Sequence, residues 1–356
     1  MLTEPKKTNI LEFSRDQLHT WLADQGIAAY RADQIQKWIY LRQADNFDVM
    51  TDLSKDIRLL LSHQFKIGRL ETELVETSRD GSVKYLFKLD DGKRIESVLI
   101  PESDHYTLCV SSQAGCAQDC RFCMTAVGGF DRNLTRGEIV AQARDIKKNL
   151  GDEKRLTNIV FMGMGEPLAN YRNLVAAIGV LTDNEAGLRF ASRRVTVSTA
   201  GLVSKITALG RDTRVNLAVS LNAADDKTRT RLMPINRKYP LEKLMQACRQ
   251  YLPAPGRRIT FEYILIKGIN DSAEDAERLA KLLRPIRCKV NLIPFNPHEG
   301  CDFKRPAEAV IQAFYDILFA KNYTVIIRRS KGQDISAACG QLRARSMGAK
   351  GKGHRA

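Results

Sequence analysis

From about residue 106 to 330 the chain alternates strand-like and helix-like stretches, and no other feature limits the fold as tightly. The strand-like runs are expected at Thr107–Ser112, Asn158–Met164, Arg194–Ser198, Val215–Leu221, Ile259–Ile266 and Lys289–Phe295. Between them, helical spacing of apolar residues predicts Arg136–Asn149, Asn170–Thr182, Leu241–Leu252, Ala273–Arg284 and Ala307–Lys321. Six βα repeats imply an α/β chain with a parallel sheet and helical crossovers. A complete barrel has eight strands. The choice therefore lies between a partial (βα)6 barrel, open at the side for a large substrate, and a doubly wound sheet. Strand ends favour the barrel. Gly163-Met164-Gly165-Glu166, Ser198-Thr199, Ser220-Leu221-Asn222 and Phe295-Asn296-Pro297 put glycines and polar groups where strands stop. In a parallel barrel those ends open into one mouth, where active sites are built.

Just after the first strand comes Gly115-Cys116-Ala117-Gln118-Asp119-Cys120-Arg121-Phe122-Cys123-Met124. Three thiolates at spacing C-x3-C-x2-C converge only by wrapping around a metal or a metal cluster. A structural zinc site closes its shell with four protein ligands. Here no His or Cys follows Cys123 until Cys248, while His105 and Cys109 lie upstream on the strand. An iron–sulfur cube takes four ligands, so three cysteines leave one iron open to a second molecule. Two plainer readings stand beside this: a zinc knuckle completed by a distant ligand, and buried cysteines with no shared partner. The spacing resembles that of the radical S-adenosylmethionine (SAM) enzymes, in which the amino and carboxylate groups of SAM chelate the open iron. It leaves the substrate unspecified.

The flanks read differently. Residues 1–70 show helical spacing at Leu18, Trp21, Leu22, Ile27, Ile35, Trp38 and Ile39 and form a small N-terminal helical accessory domain. Over 71–105 the period falls to two. Val83, Tyr85, Phe87 and Leu89 share a face, and Asp90-Asp91-Gly92 leads into Ile95–Ile100, a β-hairpin extension that carries Glu96. A core of 106–330 follows, and 331–356 is a C-terminal segment with Cys339 and a small basic tail, expected to be disordered when free.

The chain has 356 residues and a net charge of +15. From Tyr323 onward the basic residues 328, 329, 331, 343, 345, 350, 352 and 355 face a single acid, Asp334. Such an excess favours a polyanion. RNA fits better than a membrane surface, because no stretch joins these charges to a strongly apolar helix face and no apolar run approaches a membrane span. Eight cysteines without a secretory segment point to reduced thiols in the cytoplasm.

Five segments together narrow the resemblance. The cysteine loop, Gly128-Gly129-Phe130-Asp131-Arg132-Asn133-Leu134, Phe161 to Leu168, Leu232-Met233-Pro234-Ile235-Asn236 and Ala337-Ala338-Cys339-Gly340-Gln341-Leu342 look like those of the radical SAM adenine-C2 methyltransferases of 23S rRNA and tRNA. With Glu96 ahead of them they span residues 96 to 342 in order. A C8-methylating branch shares the cluster and both distant cysteines. Pro167, Asn222 and Phe295-Asn296-Pro297 are more similar to the C2 branch, whereas Met124 is bulkier than the pattern there.

That resemblance implies a [4Fe-4S] cluster held by Cys116, Cys120 and Cys123, two SAM per turnover, and an external electron donor such as flavodoxin. It makes Glu166, with Gly165 before it, the acceptor for the amino group of SAM. Ser198, Ser220, Leu221, Asn222 and Asn296 become further SAM contacts. The chemistry explains why a radical is wanted. Adenine C2 lies between two ring nitrogens, is electron-poor and cannot attack a methyl sulfonium, so the polarity is reversed and a carbon radical adds to the ring. By the same resemblance Cys339 is methylated by one SAM, and a 5′-deoxyadenosyl radical from a second abstracts hydrogen from that methyl. The thiomethylene radical then adds to C2 as a protein–RNA adduct. Glu96 removes the C2 proton, and Cys109 resolves the adduct with a disulfide. Cys248, Cys288 and Cys301 match no motif. A different radical SAM reaction leaves the basic tail and the Cys109/Cys339 pair without a task. A zinc-stabilised RNA-binding protein is the non-enzymatic alternative.

Overall fold

In the computed structural model, residues 7–150, 155–251, 257–298 and 300–344 are described. The tail from 345, with four of the basic residues counted above, lies outside them. Ten strands form one sheet. Its parallel part runs Thr324–Ile327, Cys288–Pro294, Ile259–Leu265, Asn216–Ser220, Val195–Thr199, Leu156–Phe161 and Tyr106–Cys109. Arg94–Pro101, Val83–Lys88 and Glu71–Thr77 continue it antiparallel. The hairpin extension is thus the edge of the core sheet and gains a third strand. The expected six parallel strands are all present, and Thr324–Ile327 adds a seventh.

The central strands read as apolar runs because helices cover the sheet. Val195, Val197, Leu217, Val219, Phe261 and Val290 are all within 1% of complete burial, each stabilising the fold by about 1.5–3 kcal/mol. Crossover helices Arg136–Leu150, Tyr171–Thr182, Leu241–Gln250, Ala273–Leu283 and Glu308–Ala320 lie where periodicity placed them. Val203–Asp212 and Asp226–Leu232 were not expected. The second, Asp-Lys-Thr-Arg-Thr-Arg-Leu, has too few apolar residues to display a face.

The N-terminal helices are Arg15–Asp24, Arg31–Tyr40 and Lys55–Gln64. Ser14 and Gln17 close a capping box at the start of the first. Leu18, Leu22, Ile35, Ile39, Leu61 and Phe65 pack into the main core. Two arginines of helix Arg136–Leu150 bolt this unit on. Arg136 donates to Leu11 O at 2.7 Å and Phe13 O at 2.5 Å. Arg144, fully buried, donates to Ile39 O, Gly68 O and Ala44 O at 3.1, 3.1 and 2.6 Å. No helix among the described residues is long and apolar enough to cross a membrane.

Candidate active site

The first strand stops pairing at Cys109, two residues before Ser111-Ser112 turn the chain into a short ribbon, Gln113–Gly115 against Phe130–Asn133. The cysteine loop hangs from this ribbon. Cys116 N–H donates to Gly129 O at 2.7 Å, and Cys123 N–H to Cys120 O at 3.0 Å. Arg121 N–H reaches Leu232 O at 3.0 Å, so the loop rests on the end of helix Asp226–Leu232. Burial pushes the Cys116 thiol up to about 12. Cys120 is raised well above its ordinary value by burial, then by the fields of Cys123 and Cys116. Glu166 adds to both shifts.

The C-terminal segment folds back over the loop. Met124 N–H donates to Gly340 O at 2.7 Å, and Thr125 Oγ1 to Leu342 O at 2.7 Å. Asn296 Nδ2 donates to Cys339 O at 3.3 Å and its Oδ1 accepts from Gln333 at 3.1 Å. Cys339 is exposed, yet desolvation leads the upward shift of its thiol, with Glu262 adding to it and Arg328 opposing. Cys109 lies within the field of Cys339: burial, then that field, pushes its thiol up to about 12. All eight cysteines are free thiols.

Glu96 is buried on strand Arg94–Pro101. Burial raises its carboxyl, with Lys84 opposing; Oε1 lies 3.6 Å from Lys84 Nζ and Oε2 accepts Arg343 N–H at 2.7 Å. Glu166 sits fully inside, its Oε1 on Leu168 N–H at 3.0 Å and Oε2 on Ala200 N–H at 2.7 Å. Burial raises it despite these bonds. Gly165 precedes it at φ +100°, where a Cβ would lie 2.5 Å from Gln113. Ser198 and Ser220 are half-buried at neighbouring strand ends. Leu221 and Asn222 are fully buried. Both ends of the Asn222 amide are engaged within the protein, Oδ1 by Ile264 N–H at 2.8 Å and Nδ2 by Met233 Sδ at 3.2 Å.

The sequence reading missed two charged residues here. Glu262, bonded to Asn291 at 2.9 Å, is the carboxylate nearest Cys339 in effect; as the lone charge in the apolar run Ile259–Ile266 it was visible in principle. Arg229 is wholly buried, and burial pulls it down to about 10 while Cys120 opposes. Nothing in its polar helix marks it out.

These residues fit an iron–sulfur cluster better than a single ion. Cys116, Cys120 and Cys123 sit within eight residues of one loop that wraps back on itself through Cys123 N–H to Cys120 O. A zinc ion needs its ligands at about 2.0–2.3 Å, whereas a cube spreads its thiolates over a larger body. Cys116 and Cys120, raised by burial and then by the field of Cys123, with Glu166 alongside, form a donor set that a cationic cluster relieves.

The family profile "Radical SAM superfamily" matches residues 110–283, and "Ribosomal RNA large subunit methyltransferase N-terminal domain" matches 8–67. The dual-specificity RNA methyltransferase RlmN of Desulfosudis oleivorans is 58% identical over 94% of this chain and 90% of its own length. That of Geobacter sulfurreducens is 53% identical over 94% and 92%. A radical SAM methyltransferase structure from Sphaerobacter thermophilus superposes with a TM-score of 0.90 at 45% identity, covering 95% of this chain and all of that one. The chain therefore belongs to the family of dual-specificity RNA methyltransferases called RlmN.

Proposed function

We infer that this chain methylates C2 of adenine in 23S rRNA and tRNA, in the cytoplasm, carrying the new carbon on Cys339. The observation that carries this reading is that the Cys339 segment folds back onto the residues following the cysteine loop, through Met124 N–H to Gly340 O and Thr125 Oγ1 to Leu342 O, while a buried Glu96 holds its end and Cys109 lies within the field of Cys339. Two thiols and a base meeting at a cluster loop match a methyl carrier, a resolving thiol and a proton acceptor.

When bound, a [4Fe-4S] cluster on Cys116, Cys120 and Cys123, with SAM at its open iron, supplies the electron and the carbon radical; a one-electron carrier such as flavodoxin feeds it. The protein does the rest. Glu166 holds a negative charge for the SAM ammonium, and Ser198, Ser220 and Asn296 offer polar groups at the mouth, with Leu221 and Asn222 shaping the wall behind. Glu96, its carboxyl raised by burial, accepts the C2 proton. Cys109 is kept protonated by burial, so it loses its proton as its sulfur attacks that of Cys339. The S–S bond forms, the bond between the carrier carbon and Cys339 breaks, the released carbon takes up a proton to become the methyl group, and the odd electron of the adduct would return to the one-electron carrier. The target base leaves its stack to reach the mouth, while basic residues hold phosphates.

The test is mass spectrometry of nucleosides from rRNA and tRNA incubated with reduced, iron-loaded enzyme and SAM. The expected product is 2-methyladenosine. Appearance of 8-methyladenosine, or of unmodified adenosine alone, overturns the reading.

A further inference from the structure

Arg229 is a fully buried guanidinium that has no carboxylate among its acceptors. Nε donates to Leu221 O at 3.1 Å, Nη1 to Asn236 Oδ1 at 2.8 Å, and Nη2 to Ala200 O at 2.7 Å and Ser220 O at 3.4 Å. No salt bridge among the described residues includes it. The nearest acid along its helix, Asp226, is exposed and spends Oδ1 on Asn236 Nδ2 at 2.8 Å and Leu241 N–H at 2.9 Å. A buried charge satisfied only by neutral dipoles is costly unless something negative meets it. What faces it is the cysteine loop: Cys120 lies within its field, and Arg121 N–H is tied to Leu232 O at the end of the same helix.

We propose that Arg229 is the fixed positive charge that raises the reduction potential of the iron–sulfur cluster, making the cluster easier to reduce. The proposal rests on the cluster reading above. One electron taken from the external donor adds one negative charge to the site. A buried cation with no carboxylate bonded to it stabilises the reduced form, and burial protects that interaction from salt. Arg229 touches neither SAM nor RNA in this view and acts on the reaction only through the cluster.

The experiment is a redox titration, followed by electron paramagnetic resonance, of the reconstituted full chain, with iron counted beforehand. Arg229→Met is expected to shift the potential negative by about 59 mV or more, a tenfold change in the one-electron equilibrium. Arg229→Lys keeps the charge and should recover at least half of that shift. Asp226→Asn removes a carboxylate that makes no bond to Arg229 but whose field reaches it, and should move the potential the other way, by less. A Met variant with the wild-type potential, or a Lys variant shifted as far as the Met one, overturns the proposal. Should neither Arg229 variant fold, Asp226→Asn decides alone, and no shift or a negative shift overturns it. Wild-type protein that binds no iron refutes the cluster reading instead.

Discussion

Glu96 Oε2 accepts the backbone N–H of Arg343 at 2.7 Å, four residues beyond Cys339. The group proposed to take the proton from adenine is thus also an anchor of the segment that carries the methyl. Glu96→Gln separates the two tasks, because the amide oxygen still accepts from Arg343 while the base is gone. Turnover should fall by about 10²–10⁴-fold, the usual worth of a general base. Stability should hold or rise at pH 8. The folded carboxyl is raised by burial, so the native state binds more protons than the unfolded one, and stability declines as pH rises through the folded value. Gln removes that decline. Thermal melts of both proteins from pH 5 to 8 check it; a flat difference between them removes the assignment of a raised carboxyl.

Cys109→Ala removes the thiol proposed to resolve the adduct and leaves the rest of the wall intact. A covalent protein–RNA species linked through Cys339 should accumulate. A denaturing gel reveals it and peptide mapping locates the bond. Normal multiple turnover by this variant would refute the resolving role. With its thiol pushed up to about 12, Cys109 should also alkylate slowly in the cluster-free protein, well behind the exposed Cys339.

The Cys339 segment is clamped a second time by the turn before strand Val83–Lys88. Asp80 Oδ2 accepts Gly332 N–H at 2.7 Å, while Asp334 accepts from Ser78 Oγ at 2.6 Å and Arg79 N–H at 3.1 Å. Asp334→Ala should raise amide exchange over 332–343 by roughly thirtyfold, as the loss of two hydrogen bonds of about 1 kcal/mol each would. It should leave iron content unchanged. A loosened carrier wastes radicals, so 5′-deoxyadenosine released per methyl transferred should increase. Exchange that is unaltered across 332–343 would remove the clamp.

Arg144→Met tests how the N-terminal helices are held. The guanidinium is buried and serves three carbonyls, those of Ile39, Gly68 and Ala44. Its loss strands all three and also leaves the buried Asp145, 3.4 Å from Nη1, without that cation, at a cost of about 3–5 kcal/mol. Urea denaturation should show the loss as a lower midpoint.

Much of the barrel was legible because its signals are local. Helices Arg136–Leu150, Leu241–Gln250 and Ala273–Leu283 begin at the residues that periodicity indicated. Strand Glu71–Thr77 was missed because it has no fully buried face, and Thr324–Ile327 because four residues give too short a pattern. The cysteine loop was legible by spacing alone. Its supports were not. The bond from Glu96 spans 247 positions to a main-chain N–H, and one N–H looks like any other in a sequence. Asn222 shows the same limit: a polar residue at a strand end suggested a ligand contact, and its bonds to Ile264 and Met233, which also hold the wall, could not be read from the sequence. Polar groups at a barrel mouth serve the walls as well as the guest.

Gly115 gives the sharpest test of how the loop is built. At φ +77° it occupies the left-handed region, and a Cβ there would lie 2.1 Å from Gly129 O. That carbonyl is the one that accepts Cys116 N–H. An alanine must therefore push away the group that fixes the first cysteine, and relaxation elsewhere cannot restore the bond. Gly129, at φ +76°, has nothing within 4 Å of a Cβ. Gly129→Ala should cost only about 1 kcal/mol of backbone strain and keep the thiols in place. After anaerobic reconstitution, Gly115→Ala should hold little iron and Gly129→Ala nearly the wild-type amount. Equal loading in the two would mean that the loop takes its shape from the metal, and that the Gly115–Gly129 contact does not set it.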